Sequence, residues 1–217
     1  LREGEDVLVA TEGGLFRWRA GEFRLVEGTA ELQVWALVRD GLDRIWAGGD
    51  RLWRIEGNRA LTVDASPREP SQRIVALQPL SGEALLILTQ RSGVTILRDD
   101  VQTPLVGAEV GALRALWIDP DGRYWLAGER LQWLDENGQA RVLTGFMERH
   151  GRGLHALLPD QLGNLWVPGN VGLFRFSVAG LRQHAQGLAP EPLPQRFELN
   201  DGLTSTEFNG GGQSPAI

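Results

Sequence analysis

The sequence predicts an all-β protein assembled from about five similar four-stranded units, and three observations carry that prediction. A pattern of apolar runs, Asp-Gly or Asn-Gly turns and a Trp recurs along the 217 residues at nearly constant spacing. Each unit breaks into short runs of β-branched, aromatic and Leu residues, and no apolar stripe of helical period lasts three turns. Eight Trp against one Tyr mark a structural slot that is filled repeatedly.

The spacing selects the architecture. Aligned on a turn, a strand and a Trp, the units place Trp166, Trp125 and Trp46 in one slot, with Leu85 and Leu8 filling it elsewhere; successive differences are 41, 40, 39 and 38. A period of about 40 residues suits both β-propeller blades and HEAT-type helix pairs, and the strand pattern decides for a propeller. The first unit lacks a leading strand: it opens at Val7-Leu-Val-Ala10 and runs through Leu15-Phe-Arg-Trp18 to Phe23-Arg-Leu-Val26. The second reads Val34-Trp-Ala-Leu-Val38, Arg44-Ile-Trp-Ala47, Leu52-Trp-Arg-Ile55 and Ala60-Leu-Thr-Val63. The third is the most worn, with Ile74-Val-Ala-Leu77, Ala84 to Leu88 and Val94-Thr-Ile-Leu97. The fourth reads Arg114 to Ile118, Arg123 to Leu126, Leu131 to Leu134 and Ala140 to Leu143, its turns Asp119-Pro-Asp-Gly122 and Glu136-Asn-Gly138 supplying positive φ. In the fifth, Leu154 to Phe176 repeats the pattern. One short helix near 178–187 is then inserted before an outer strand Arg196-Phe-Glu-Leu199. No linker interrupts the chain, so residues 1–217 read as a single domain, and the start at Leu1 implies a segment of something longer.

Composition narrows the function classes. A net charge of −6 with cations scattered singly argues against nucleic acid. The absence of Cys removes disulfides and thiolate chemistry, and nothing approaches the roughly 18 apolar residues of a membrane helix. Asp119-Pro-Asp-Gly122 begins like a calcium loop, but Arg123 and Arg130 stand where oxygen ligands are required. The three histidines, His150 in a loop, His155 and a solvent-facing His184, lack zinc spacing. No nucleophile elbow or phosphate-binding Gly loop occurs, Gly210-Gly-Gly212 included, and no metal or cofactor is expected.

The turn-strand string Asp-x-x-Gly-x-Leu-Trp followed by Gly-Leu-Phe-Arg, at Asp160 to Arg175 and more loosely at Asp119 and Asp40, resembles the two-component regulator propeller repeat. The segments GLFRFSVAGLRQHAQG and FELNDGLTSTEFNGGGQSPA are similar to the last part of such propellers in hybrid histidine kinases and diguanylate cyclases. The resemblance implies a non-catalytic sensor region on the extracytoplasmic, periplasmic side of a bacterial receptor, joined to the membrane and to a kinase or cyclase through downstream segments. It also implies a seven-bladed ring. With about five units visible, two readings stand: further blades are missing, which is preferred, or Ser214 to Ile217 supplies the inner strand of the first unit and closes a smaller ring.

Candidate binding residues come from the inner strands, which line a propeller's channel. Aligned at a shared Ala-Leu, the units read Val34-Trp35, Ile74-Val75, Leu113-Arg114 and Leu154-His155 before it. The residue ahead of Ala changes each time, as a recognition site on a fixed frame would require. Trp35, Arg114 and His155, with Arg73 beside the third inner strand, are therefore the expected ligand-binding positions, and Arg114 and His155 should share one face. The expected partner is a small molecule or glycan, and propeller-propeller homodimerisation is a second route to signalling. The competing classes are a propeller lyase or hydrolase, for which His155 with Glu109 or Glu148 is the one group that can be assembled, and a protein-interaction propeller.

Overall fold

The computed structural model describes residues 1–63, 72–80, 83–107, 110–151 and 153–208. The chain divides into two compact units, Leu1–Gly107 and Ala108–Ile217. Together they hold five antiparallel sheets of four strands each, every sheet ordered as its strands occur in the chain.

In the first unit, sheet one comprises β1 (Arg2–Glu3), β2 (Asp6–Thr11), β3 (Gly14–Arg19) and β4 (Glu22–Leu25). The leading strand thought absent thus exists as two residues. Arg2 pairs Val7, and Leu1 and Leu8 exchange backbone hydrogen bonds just beyond it. Residues so few carry no apolar run, which is why the sequence does not reveal them. The alternative supplier, Ser214 to Ile217, lies outside the described residues.

Sheet two is β5 (Val34–Arg39), β6 (Ile45–Gly49), β7 (Leu52–Glu56) and β8 (Arg59–Thr62). Sheet three is β9 (Ile74–Pro79), β10 (Leu85–Thr89), β11 (Gly93–Arg98) and β12 (Val101–Val106), the last not foreseen from sequence. Alternation along β6 explains its unbroken apolar run: Ile45 and Ala47 enter a core with Leu8, Leu15 and Trp53, while Trp46 enters a second core with Leu77, Leu85 and Ile87. A strand buried on both faces is apolar at every position.

In the second unit, sheet four is β13 (Leu113–Ile118), β14 (Tyr124–Gly128), β15 (Leu131–Leu134) and β16 (Ala140–Val142). Sheet five is β17 (Leu158–Pro159), β18 (Asn164–Gly169), β19 (Gly172–Ser177) and β20 (Gln195–Phe197). Helix α2 (Val178–Ala185) is the inserted helix the sequence predicts, and Ser177 caps it by accepting a hydrogen bond from the Gly180 N–H at 3.2 Å. A second helix, α1 (Thr144–His150), replaces the loop expected around Glu148 and His150. Its first-turn amides are capped from far along the chain, Gly145 N–H donating to Glu191 Oε2 at 3.0 Å and Phe146 N–H to Oε1. Phe146 is fully buried in a core with Trp125, Leu165, Phe174, Phe176 and Leu181.

Two histidines differ from their sequence reading. His150 ends α1 and packs between Phe146 and Phe174, with ring centroids 5.1 and 4.8 Å away. His184 is not solvent-facing; it is half-buried, edge-on to Trp133 at 5.3 Å.

Candidate functional site

In three of the five sheets the frame is set by one repeated turn. Asp40 Oδ1 accepts the backbone N–H of Leu42 and Arg44 while Oδ2 accepts the Trp46 indole N–H at 2.8 Å. Asp119 does the same for Asp121, Arg123 and Trp125, the indole at 3.1 Å. Asp160 does it for Leu162, Asn164 and Trp166, the indole at 2.9 Å. The turn carboxylate and the slot Trp are thus one device, six residues apart, and these aspartates are spent on structure rather than on a metal. In sheet three the register corrects the slot: Leu77 pairs Ile87 where Leu37 pairs Ala47, so Leu86, not Leu85, occupies the Trp position. Leu80 then stands in the Asp position, its N–H still donating to the Ala84 carbonyl, and both members of the pair are apolar together.

On this frame the variable residue before Ala-Leu has a distinct geometry. In β5 Val34 pairs Gly49 and Ala36 pairs Gly48, which leaves Trp35 as an extra residue. Val75 is extra between Ile74 and Ala76, and Arg114 between Leu113 and Ala115. Sheet five shows the same one-residue slip between the Leu154–Gly169 bridge and the Leu158–Trp166 pair, the stretch that contains His155. Trp35, Val75 and Arg114 each sit at a β-bulge, and His155 lies in the slipped stretch of sheet five. A bulged residue has no cross-strand partner, and its side chain is re-aimed out of the ordinary pleat, so its identity is free of the sheet's demands.

A second polar position flanks each bulge and escapes the sequence reading. The residue after the second strand, Asp50, Gln90, Glu129 or Asn170, donates its backbone N–H to the carbonyl just ahead of the inner strand, at Gln33, Arg73, Ala112 or Gly153. All four are acidic or amide residues, a signal visible only once the register is known.

In the first unit, Arg73 Nε donates to Asp50 Oδ1 at 2.8 Å, and Asp50 Oδ2 accepts the Gln33 N–H at 2.8 Å. Trp35 is half-buried, and its indole Nε1 is buried without an acceptor among the described residues. In the second unit, Arg114 is exposed and its Nη1 stands 2.6 Å from Nδ1 of His155, which is 4% exposed. His155 Nε2 stands 2.6 Å from Asn170 Oδ1. A guanidinium only donates, so Nδ1 accepts, Nε2 carries the ring proton, and the imidazole donates to the Asn170 carbonyl. Arg114 and His155 therefore meet directly. Glu148 lies on α1, and Glu109 lies outside the described residues.

Comparison with solved structures follows the same architecture. Over 95% of this chain the extracellular domain of the hybrid two-component system BT3049 from B. thetaiotaomicron superposes with a TM-score of 0.73 at 15% identity. The chain is a β-propeller. Virginiamycin B lyase from Staphylococcus aureus matches 97% of the chain with a TM-score of 0.64 at 12% identity, covering 74% of the lyase. The WD40 β-propeller domain of Doa1 matches 82% of the chain with a TM-score of 0.60 at 10% identity, covering 63% of that domain. The chain spans only 29% of the length of the BT3049 domain. The sequence matches no protein-family model and no curated protein. Identities this low share a fold and leave function to the site itself. Among the described residues no helix is long and apolar enough to cross a membrane, and no group of three acidic or His side chains is placed to hold a metal.

Proposed function

We propose that this propeller is a non-catalytic sensory module that recognises a ligand through its inner-strand bulges, within the extracytoplasmic region of a bacterial two-component sensor kinase or diguanylate cyclase. The observation that carries it is that one repeated position, bulged in three sheets at Trp35, Val75 and Arg114 and matched by His155 in the slipped stretch of sheet five, varies on an otherwise constant frame. Chemistry that varies where the sheet does not constrain it is how a fixed scaffold acquires specificity. The resemblance of the Asp-x-x-Gly-x-x-Trp turns to the two-component propeller repeat supports the receptor setting, as does the likeness to a hybrid two-component extracellular domain. On that reading the chain is part of a larger ring, and occupancy of the channel mouth biases a membrane-spanning output between two states, directly or through a homodimer.

The lyase or hydrolase reading is not favoured by the site. A catalytic histidine is ordinarily oriented by a carboxylate, and neither neighbour of the His155 ring is one. Both ring nitrogens of His155 are already engaged, one by Arg114 and one by Asn170.

The test is calorimetric titration of the chain against a library of small metabolites and oligosaccharides, with each hit repeated on Arg114→Ala and Trp35→Ala. A ligand of this site should weaken by roughly tenfold or more on at least one substitution, since buried aromatic and Arg contacts commonly carry over 1 kcal/mol each. Hits that neither variant moves would place recognition elsewhere.

A further inference from the structure

We infer that the group recognised at the Arg114–His155–Asn170 cluster is an anionic, acceptor-only one, a carboxylate or a sulfate or phosphate ester. This rests on the recognition reading above and adds the chemical class.

One hydrogen-bond chain runs from Arg114 through His155 to Asn170. Arg114 has no acceptor atom, so its Nη1 must donate to His155 Nδ1, 2.6 Å away. That forces the ring proton onto Nε2, which donates to Asn170 Oδ1, also at 2.6 Å. The side-chain amide of Asn170 is thereby oriented: its oxygen faces His155, and its Nδ2 amino group lies on the other side. Nδ2 occupies the space where any side chain at position 153 would lie, since a Cβ on Gly153 would come within 2.4 Å of it. The charged group the cluster leaves exposed is the Arg114 guanidinium, whose remaining N–H groups are donors, with the Asn170 amide beside it. Among the described residues neither has a further partner, and Arg114 forms no ion pair. The nearest equivalent of Asn170 in the fourth sheet, Glu129, turns its carboxylate towards Gly111, where an added Cβ would stand 3.0 Å from Oε2.

An exposed guanidinium held in place by a buried imidazole, with no carboxylate paired to it among the described residues, suits a partner that accepts hydrogen bonds and carries negative charge. Sugar hydroxyls are neutral and bring no charge to meet the guanidinium. His155 in this arrangement is a positioning residue. It fixes the guanidinium and selects the amide rotamer, and it needs no contact with the ligand.

The experiment uses the chain 1–217 labelled with ¹⁵N and titrated separately with sodium acetate, sodium sulfate and glucose at constant chloride-balanced ionic strength. The readouts are the side-chain resonances of Arg114 Nε–H, His155 Nε2 and Asn170 Nδ2. Acetate or sulfate should shift all three saturably, the stronger of the two identifying the geometry preferred, and glucose should shift none. Asn170→Asp keeps an acceptor for His155 but replaces the amide donor by a negative charge. It should weaken the anion by roughly tenfold or more while the melting temperature stays within that of the parent, and Arg114→Gln should do the same. Anion shifts that persist unchanged in Asn170→Asp would overturn the inference. Saturable shifts by glucose would also overturn the anionic class while leaving recognition at this cluster standing. Silence of both anions at millimolar concentration would remove the class, and the library titration then decides separately whether the bulges bind anything.

Discussion

At the residue scale the economy of this chain is easiest to see in the aspartate that opens each long turn. Asp119 is 3% exposed and still carries three hydrogen bonds, two from its own turn and one from the Trp125 indole. Removing it strands three donors, one of them buried. Asp119→Ala should therefore cost about 1–3 kcal/mol in urea denaturation, and Asp119→Asn less. The paired loss in sheet three shows the same coupling by its absence. With Leu80 in place of Asp, a Trp would bury an unpaired N–H, and Leu86 stands there instead.

Two groups give this unit opposite-looking but concordant acid sensitivity. The Asp160 carboxyl is held down to about 2, chiefly by the Asn164 side chain, with its backbone amide and the Trp166 indole adding to the effect. A carboxyl lowered in the folded state contributes stability above its unfolded value of 3.8, and that contribution fades as pH falls towards 2. Burial pushes His150 below its ordinary 6.5, reinforced by Arg196 and Arg149. Between the lowered value and 6.5 the unfolded chain binds the extra proton, so stability rises with pH there and is lost on acidification. The midpoint of denaturation should thus decline from pH 6.5 downwards, and His150→Phe should flatten the upper part of that decline.

At the scale of elements, the close backbone passage beside each bulge makes a graded prediction. A Cβ at Gly128 would stand 2.0 Å from the Ala112 carbonyl oxygen, while one at Gly169 would stand 3.1 Å from that of Gly153. Gly128→Ala must displace the inner strand and should cost on the order of 3 kcal/mol or more, visible as a large fall in melting temperature. Gly169→Ala should be milder by the same assay. The strands and turns were legible in the sequence because period two and positive-φ glycines leave local traces. Helix α1 was not. It has seven residues and no side-chain cap of its own; Glu191 caps it from 46 residues away, and Phe146 earns its place by burial among Phe174 and Phe176. A helix stabilised by such distant partners carries little signal in its own residues.

At the scale of the whole molecule, sheet one keeps one apolar face lightly covered. Leu8 and Leu15 fill the core on one side, while on the other Trp18 pairs Phe23 with 36% and 63% of their surfaces exposed. Phe23→Ser should change the stability of the chain 1–217 by no more than about 0.5 kcal/mol, because little of the ring leaves water on folding. A larger loss in chemical denaturation would mean that this face is covered in solution.

The repeat, its period, the strand content and the alignment that singles out Trp35, Arg114 and His155 can be read from the residues alone, because hydrophobic alternation and turn chemistry are local and recur unit after unit. The sequence could not supply the bulges or the polar position behind them. Nor could it show that Arg114 donates to His155 and His155 to Asn170. Those depend on cross-strand register and on contacts between neighbouring sheets, where a slip of one residue changes every partner. They appear with the tertiary structure alone, as does the hydrogen-bond chain that ties Arg114 to Asn170 through His155.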